Sequence, residues 1–347
     1  MNFRRTLLPL VTGLLAILLV APAPGYAQGT GGGENGRPYR IFAVVWRGET
    51  EVEAGFRDYL NQRGIPYELT VRSLELDRAN APPIVEEIRR TKPDLVYTWG
   101  TGATLSIVGS TDTDTPEKFI RDIPTIFVLV AYPQVANIIK SYESTGRMVS
   151  GVSFLAPLDV QLNVIRAYRP FRKLAAIYDK TARNSRINIE QLQEAVPKSG
   201  MEFLPVPVPL NEDGKPDPDT LPDLIRQVKS EGADVLYIGP DAFFTRHGVT
   251  YTRTAIEAGL PVFASTQVTL KSSHSMFGLV SNYHTLGKLA GLQAEKILVD
   301  GINPRNLPIA QLSRFKFWVN IDVVKALGVY PPMNMISIAD FKDSGLQ

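Results

Sequence analysis

Four short segments recur in the same order in the second half of the chain, and this repetition limits it to folds that set two copies of one α/β unit side by side. Arg40-Ile41-Phe42-Ala43-Val44-Val45-Trp46 is echoed by Lys173-Leu174-Ala175-Ala176-Ile177-Tyr178, and Gly64-Ile65-Pro66-Tyr67-Glu68-Leu69 by Gly200-Met201-Glu202-Phe203-Leu204. Lys92-Pro93-Asp94-Leu95-Val96-Tyr97-Thr98-Trp99-Gly100 returns as Gly232-Ala233-Asp234-Val235-Leu236-Tyr237-Ile238-Gly239, and Ile123-Pro124-Thr125-Ile126-Phe127 as Leu260-Pro261-Val262-Phe263. Every echo follows its original after nearly the same length of chain, so order and spacing are kept together. Two such units in one chain leave a cleft between them, and clefts between lobes are where small ligands bind.

Within each half, short apolar runs alternate with amphipathic stretches, the pattern of parallel βαβ units. The first half predicts strands at 40–46, 67–73, 95–99 and 125–130, with helices at 52–63, 82–91, 104–108 and 134–142 and a short apolar stretch at 148–152. The second half predicts strands at 174–178, 203–208, 235–238 and 261–264, with helices at 157–168, 187–196, 221–230 and 251–258. Pro205, Pro207 and Pro209 place their strand at a sheet edge or end it early, because proline cannot donate to a ladder. Beyond Ala264 the pattern changes. Strands at 276–280 and 315–319 and helices at 286–299 and 321–327 have no partners in the repeat, which suggests that the chain crosses between lobes more than once and restricts motion to opening and closing.

The first 27 residues read as a secretory signal: Arg4 and Arg5, an apolar run from Leu7 to Val20, and the small residues Gly25 and Ala27 flanking Tyr26. The run is short for a membrane span and is broken by Pro9, Thr12 and Gly13. Residues 28–37 are Gly-rich and read as a flexible leader. The chain has no cysteine, so neither a lipid-bearing cysteine nor a disulfide is expected, and a soluble periplasmic protein without a lipid anchor follows. Without the two signal arginines the formal charge of +2 falls to about zero, and no dense Lys/Arg cluster marks a nucleic-acid partner.

In open parallel sheets, ligands gather beyond the carboxyl ends of the strands. The candidates there are Trp46, Arg47, Gly48, Thr101, Gly102 and Tyr132 from the first half, and Asp179, Asn184, Ser185, Asp241, Ser265 and Thr266 from the second. Trp46 and Tyr132 are placed to stack on a ligand or face a cation, while Trp99 reads more as lobe core. Thr101-Gly102, before a helix, offers a hydroxyl and free N–H groups to a carboxylate, or simply caps the helix. Asn184-Ser185 opens a helix from the other side. Asp241 suits an amine or a hydroxyl, with a helix cap as its plainer role.

Enzyme motifs are absent. His247, His274 and His284 match no metal-binding pair spacing, there is no G-x-S-x-G, Walker or G-x-G-x-x-G loop, and no cysteine nucleophile exists. Asp112 and Asp114 lack the further ligands and glycine of a calcium loop. No enzyme activity, metal or cofactor is expected.

The chain resembles the substrate-binding proteins of ABC transporters, specifically the tryptophan/tyrosine-type family, from Tyr39 to Tyr330. Four stretches carry the resemblance: Asp122-Ile123-Pro124-Thr125-Ile126-Phe127 running to Pro133, Gly151-Val152-Ser153, Leu260-Pro261-Val262-Phe263-Ala264-Ser265, and Trp318-Val319-Asn320-Ile321 with Ala326-Leu327-Gly328. The resemblance implies an α/β type I periplasmic binding protein fold, with two Rossmann-like lobes of parallel sheet joined by a multi-crossover hinge. The expected lobes are 38–152 plus 265–308 and 153–264 plus 309–347. It further implies that a ligand enclosed at the hinge, often an aromatic amino acid in the family, is delivered to a membrane permease powered by a separate ATPase. By position, Thr101 and Gly102 match the family's Thr-Pro, Asn184 and Ser185 its carboxylate-holding pair, and Asp241 an acidic position that meets an α-amino group. Tyr132 and Thr266 stand where the family usually has Asp, which together with Trp46 and Arg47 shifts the expected solute toward an anionic or aromatic one. A monomer is expected. The competing role is a sensor module that presents the solute to a membrane kinase or chemoreceptor.

Overall fold

The computed structural model describes residues 36–343, so the expected signal and most of the leader lie outside the described residues. The first lobe is built from β1 (Tyr39–Val45), α1 (Glu51–Gln62), β2 (Tyr67–Ser73), α2 (Ala81–Thr91), β3 (Leu95–Trp99), α3 (Gly100–Val108), β4 (Thr125–Val128) and β5 (Val149–Ser153). The second contains α4 (Leu158–Tyr168), β6 (Lys173–Tyr178), α5 (Arg183–Lys198), β7 (Glu202–Pro207), α6 (Leu221–Ser230), β8 (Val235–Ile238), α7 (Ala242–Arg246), α8 (Gly248–Glu257), β9 (Val262–Ala264), α9 (Gln267–Lys271) and β10 (Phe277–Val280). The chain then runs through α10 (Tyr283–Leu298), β11 (Ala310–Gln311), β12 (Lys316–Asn320), α11 (Ile321–Leu327), α12 (Met333–Ile336) and β13 (Ala339–Lys342). Among the described residues no helix is long and apolar enough to cross a membrane.

The repeat in sequence becomes a repeat in topology. One sheet has the order β11-β5-β4-β3-β1-β2 and the other β13-β12-β10-β9-β8-β6-β7, so β2-β1-β3-β4-β5 and β7-β6-β8-β9-β10 are equivalent runs. All pairings are parallel except β10 with β12. Central strands are covered on both faces and read as continuous apolar runs: six of the seven residues of β1 are buried. Each lobe accordingly has an apolar layer on either side of its sheet, one of them around Phe56, Tyr97 and Leu286 and its counterpart around Tyr168, Phe277 and Phe317. The proline-bearing β7 is an edge strand, as its sequence requires.

Residues shared by the two repeats have shared tasks. Asp94 accepts the N–H of Arg40 at 2.8 Å, and Asp234 accepts those of Arg172 at 2.8 Å and Lys173 at 3.0 Å, so each carboxylate satisfies the N–H groups where its lobe's first strand begins. Tyr97 and Tyr237, at equivalent places on β3 and β8, are fully buried and each donate to a buried side chain of the packing helix, Glu53 Oε1 at 2.5 Å and Gln161 Oε1 at 2.9 Å.

Three crossings join the lobes, after Ser153, after Val280 and after Gln311. The expected return to the first lobe at residue 265 is corrected: β10 pairs with β9 and β12 in the second sheet, and the return comes with α10 at about residue 282. Likewise β11 pairs with β5, so residues 309–312 stay with the first sheet. α10 packs on α1 with backbones in contact; a Cβ at Gly287 would lie 1.9 Å from the carbonyl oxygen of Val52, and one at Gly55 2.0 Å from that of His284.

Two helix expectations also change. Residues 134–142 form hydrogen-bonded turns, with Ala136 N–H to Tyr132 O at 2.8 Å, because Tyr132 (φ 50°) and Asn137 (φ 58°) are left-handed and a right-handed helix cannot pass through them. α3 begins at Gly100, so Thr101 and Gly102 sit in its first turn.

Candidate functional site

The carboxyl ends of both sheets face one cleft. Its inner pocket, about 70 Å³, is walled from the first lobe by Arg47, Trp99, Gly100, Thr101, Leu129 and Ala131, and from the second by Asn184, Pro240, Asp241, Ala242, Thr245, Thr266 and Val268. Phe154 and Tyr283, on the first two crossing segments, complete it. An adjoining vestibule of about 520 Å³ shares Asn184, Asp241 and Ala242 and is bordered by Trp46, Asp77, Arg78, Gly102, Asp179, Arg183, Lys215, Arg246 and His247, among others.

Asp241 is the most unusual group in the cleft. It caps the five-residue α7, its Oδ1 accepting the N–H of Phe243 at 2.8 Å, and it is only 7% exposed. Its Oδ2 is buried with no hydrogen-bond partner. Burial pushes its pKa up to about 6; the nearby Ser185 hydroxyl pulls it down, Asp179 pushes it further up, and the Phe243 N–H opposes the rise. An ionisable group held half-satisfied in a cleft makes Asp241 a candidate ligand-binding residue.

Arg47 stands on the first-lobe side. Its guanidinium carbon lies 5.2 Å from the centroid of the Trp99 ring, and among the described residues it has no ion pair. Burial lowers its pKa, while Tyr283 raises it and Arg246 lowers it. Trp99 is 7% exposed and serves both the core and the pocket wall. Its indole N–H donates to Thr50 Oγ1 at 3.3 Å; Thr50 caps α1, and Glu53 closes the capping box by accepting the Thr50 N–H at 2.7 Å. The pocket wall is thus pinned to the start of α1.

Thr101 is buried against the pocket, its hydroxyl oxygen accepting the Ala131 N–H at 3.2 Å, and α3 has no side-chain cap, which leaves first-turn N–H groups facing the cleft. Gly102 is required by Trp46: a Cβ there would lie 2.8 Å from two carbons of the indole ring, so the indole lies flat on this helical turn at the vestibule edge. Asn184 reaches both cavities and donates its amide to the carbonyl of Pro240, tying α5 to the loop that carries Asp241. Thr266 walls the inner pocket, with its hydroxyl donating to Thr269 Oγ1 at 2.9 Å at the cap of α9.

Four sequence candidates take other positions, and of these Gly48 and Ser265 simply line neither cavity. Tyr132 lines neither cavity; its left-handed backbone turns the ring toward α5, and its hydroxyl accepts a bond from Asn188 Nδ2 at 3.0 Å, joining the lobes. Ser185 is buried behind Asp241, beside a separate void of about 10 Å³, and acts on the cleft through that carboxylate. Trp99, Phe154, Tyr283 and Thr245 are pocket residues that sequence reasoning missed or ranked low. Phe154 follows β5 and Tyr283 follows β10 closely, so the strand-end rule finds them once those strands are counted.

The family of ABC transporter substrate binding proteins matches residues 46–341. A tyrosine-binding protein of Clostridioides difficile is 24% identical over 276 residues, 79% of this chain and 73% of the relative. An ABC domain from Streptococcus pneumoniae solved with L-Trp superposes with a TM-score of 0.75 at 19% identity, covering 88% of this chain and 99% of that one. A ligand-free, open substrate binding protein with adhesive properties from Clostridium difficile gives a TM-score of 0.67 at 21% identity over the same shares. With a family match that spans both lobes and the cleft, the chain belongs to the ABC transporter substrate binding proteins.

Proposed function

We propose that the protein encloses a small amino-acid-like solute, aromatic or carboxylate-bearing, in this cleft and hands it to an ABC permease driven by a separate ATPase. The observation that carries the reading is Asp241: a buried carboxylate on the pocket wall, whose Oδ2 has no hydrogen-bond partner, suits an ammonium group, which would supply a donor and an opposite charge. Arg47 and the uncapped first turn of α3 are suited to the α-carboxylate, with Trp99, Phe154 and Tyr283 as apolar walls. The L-Trp and tyrosine named for the relatives above support an amino-acid head. Binding occurs without covalent chemistry, in the periplasm after cleavage of the signal, on a monomer. Isothermal calorimetry of the mature chain with L-tyrosine and L-tryptophan tests the solute, and heat that persists unchanged in Asp241→Asn refutes the assignment. Deleting the chain from cells tests delivery: lost uptake of the bound solute supports transport, whereas intact uptake with a lost signalling response favours the sensor role.

A further inference from the structure

The inner pocket, about 70 Å³, adjoins the larger vestibule of about 520 Å³ and shares Asn184, Asp241 and Ala242 with it, and on the proposed reading it takes the amino-carboxylate head. Whatever follows the head lies in the vestibule. There Arg78 from the first lobe meets Arg183, Lys215 and Arg246 from the second, and among the described residues none of the four forms an ion pair or a side-chain hydrogen bond.

The carboxylates on the same space form no ion pair with them and offset their charge only in part. Asp77 Oδ1 accepts the Ala79 N–H at 2.9 Å, Asp179 Oδ1 accepts the N–H and hydroxyl of Thr181 at 2.7 and 2.6 Å, and Asp241 also serves the inner pocket. Across the cleft the cations oppose one another: burial, then Arg183 and Arg186, lower the pKa of Arg78. The four cations outnumber the three carboxylates Asp77, Asp179 and Asp241 on the vestibule, so it keeps a net positive charge that an anion held between the lobes would neutralise.

We infer that the vestibule is an anion subsite, and that the solute carries, beyond its amino-acid head, an acidic group on its tail which passes the edge of Trp46 to reach Arg78, Arg183 and Arg246. This rests on the proposed reading of the inner pocket. The solute class is thus an amino acid with a carboxylated or phosphorylated side chain.

The test is calorimetry on the full mature chain with four ligands that share one head: L-phenylalanine, L-tyrosine, 4-carboxy-L-phenylalanine and O-phospho-L-tyrosine. At low salt the two acid-tailed ligands should bind at least about fivefold more tightly than the neutral pair, with the advantage shrinking as salt rises. In Arg78→Gln/Arg246→Gln that advantage should vanish while affinity for L-tyrosine holds; among the described residues neither side chain makes an ion pair or side-chain hydrogen bond, so circular dichroism should report an unchanged fold. Equal or tighter binding of the neutral ligands, or an advantage that survives the double substitution, overturns the anion subsite alone. Binding of none of the four overturns the head assignment and the subsite with it.

Discussion

Replacing Asp241 by Asn should stabilise the empty protein and abolish its function, and the size of the first effect follows from the burial of one oxygen. The folded-state pKa of about 6 lies some two units above the ordinary 3.8. At about 1.4 kcal/mol per unit, the ionised carboxylate costs the fold about 3 kcal/mol at pH 8. The sign is that of a raised acid: above pH 6 both folded and unfolded chains are ionised and the cost is present in full. As pH falls from 6 to about 4 the folded chain takes up a proton that the unfolded chain does not, and the cost shrinks to below about 1 kcal/mol. Asn keeps an Oδ1 for the Phe243 N–H and is as good a cap as Asp. The lost charge at the start of α7 returns about 0.5 kcal/mol. Urea unfolding should therefore show the variant about 2–3 kcal/mol more stable than the parent at pH 8 and near parity at pH 4. Calorimetry should show its affinity for an α-amino acid lowered by two orders of magnitude or more, as loss of a desolvated charge partner does. A variant less stable than the parent at pH 8, or a difference that ignores pH, would refute the claim that Oδ2 is a buried charge awaiting a donor.

Arg47→Gln should lower amino-acid affinity at least about tenfold and cost about 0.5–1 kcal/mol of stability, the worth of its contact with the Trp99 ring; unchanged affinity by calorimetry removes it from the site. Gly102→Ala forces the Trp46 ring away from a Cβ 2.8 Å distant and should cost about 1–3 kcal/mol, read as a lower thermal midpoint and altered tryptophan fluorescence; an unshifted midpoint contradicts the stacking. Tyr132→Phe deletes the bond to Asn188 between the lobes, worth about 1 kcal/mol, and should speed solute release about fivefold in stopped flow; an unchanged rate means the bond plays no part in closure.

What the sequence disclosed of the site follows from geometry rather than from motifs. A parallel strand that is buried on both faces reads as an apolar run with sharp ends, and the residue after its end must face the cleft; Arg47, Thr101, Asp241 and Thr266 are legible on that ground and all line the inner pocket. The rule gives position along the chain but not direction. Tyr132 lies just past β4, yet its φ of 50° swings the ring onto α5, and a left-handed tyrosine leaves no mark in the sequence. Ser185 is one step further along α5 than Asn184, about 100° around a helix, and so falls behind the wall that Asn184 forms. The lobe boundary is not legible near residue 265 because the crossing elements lie outside the repeat. Only the pairing of β10 with β9 and β12 decides which sheet receives them.

The repeat also explains why the cleft has two unlike sides. Thr101 and Asp241 occupy the same repeat position, each just past its lobe's third strand, and both reach the inner pocket; one offers a neutral hydroxyl beside uncapped N–H groups, the other a carboxylate. Trp46 and Asp179, each directly after its lobe's first strand, are likewise equivalent and both border the vestibule, as an aromatic face and an acid. Equivalent strand ends bring equivalent positions to the cleft, so changes of chemistry at those positions turn a near-symmetric pair of lobes into a polar clamp. A first lobe that offers Arg47 and helix N–H groups is suited to the negative end of a solute, and a second lobe that offers Asp241 to the positive end. On the proposed reading neither lobe alone would hold both ends, so a zwitterion would gain its full set of contacts only when the lobes close on it, which would couple binding to closure.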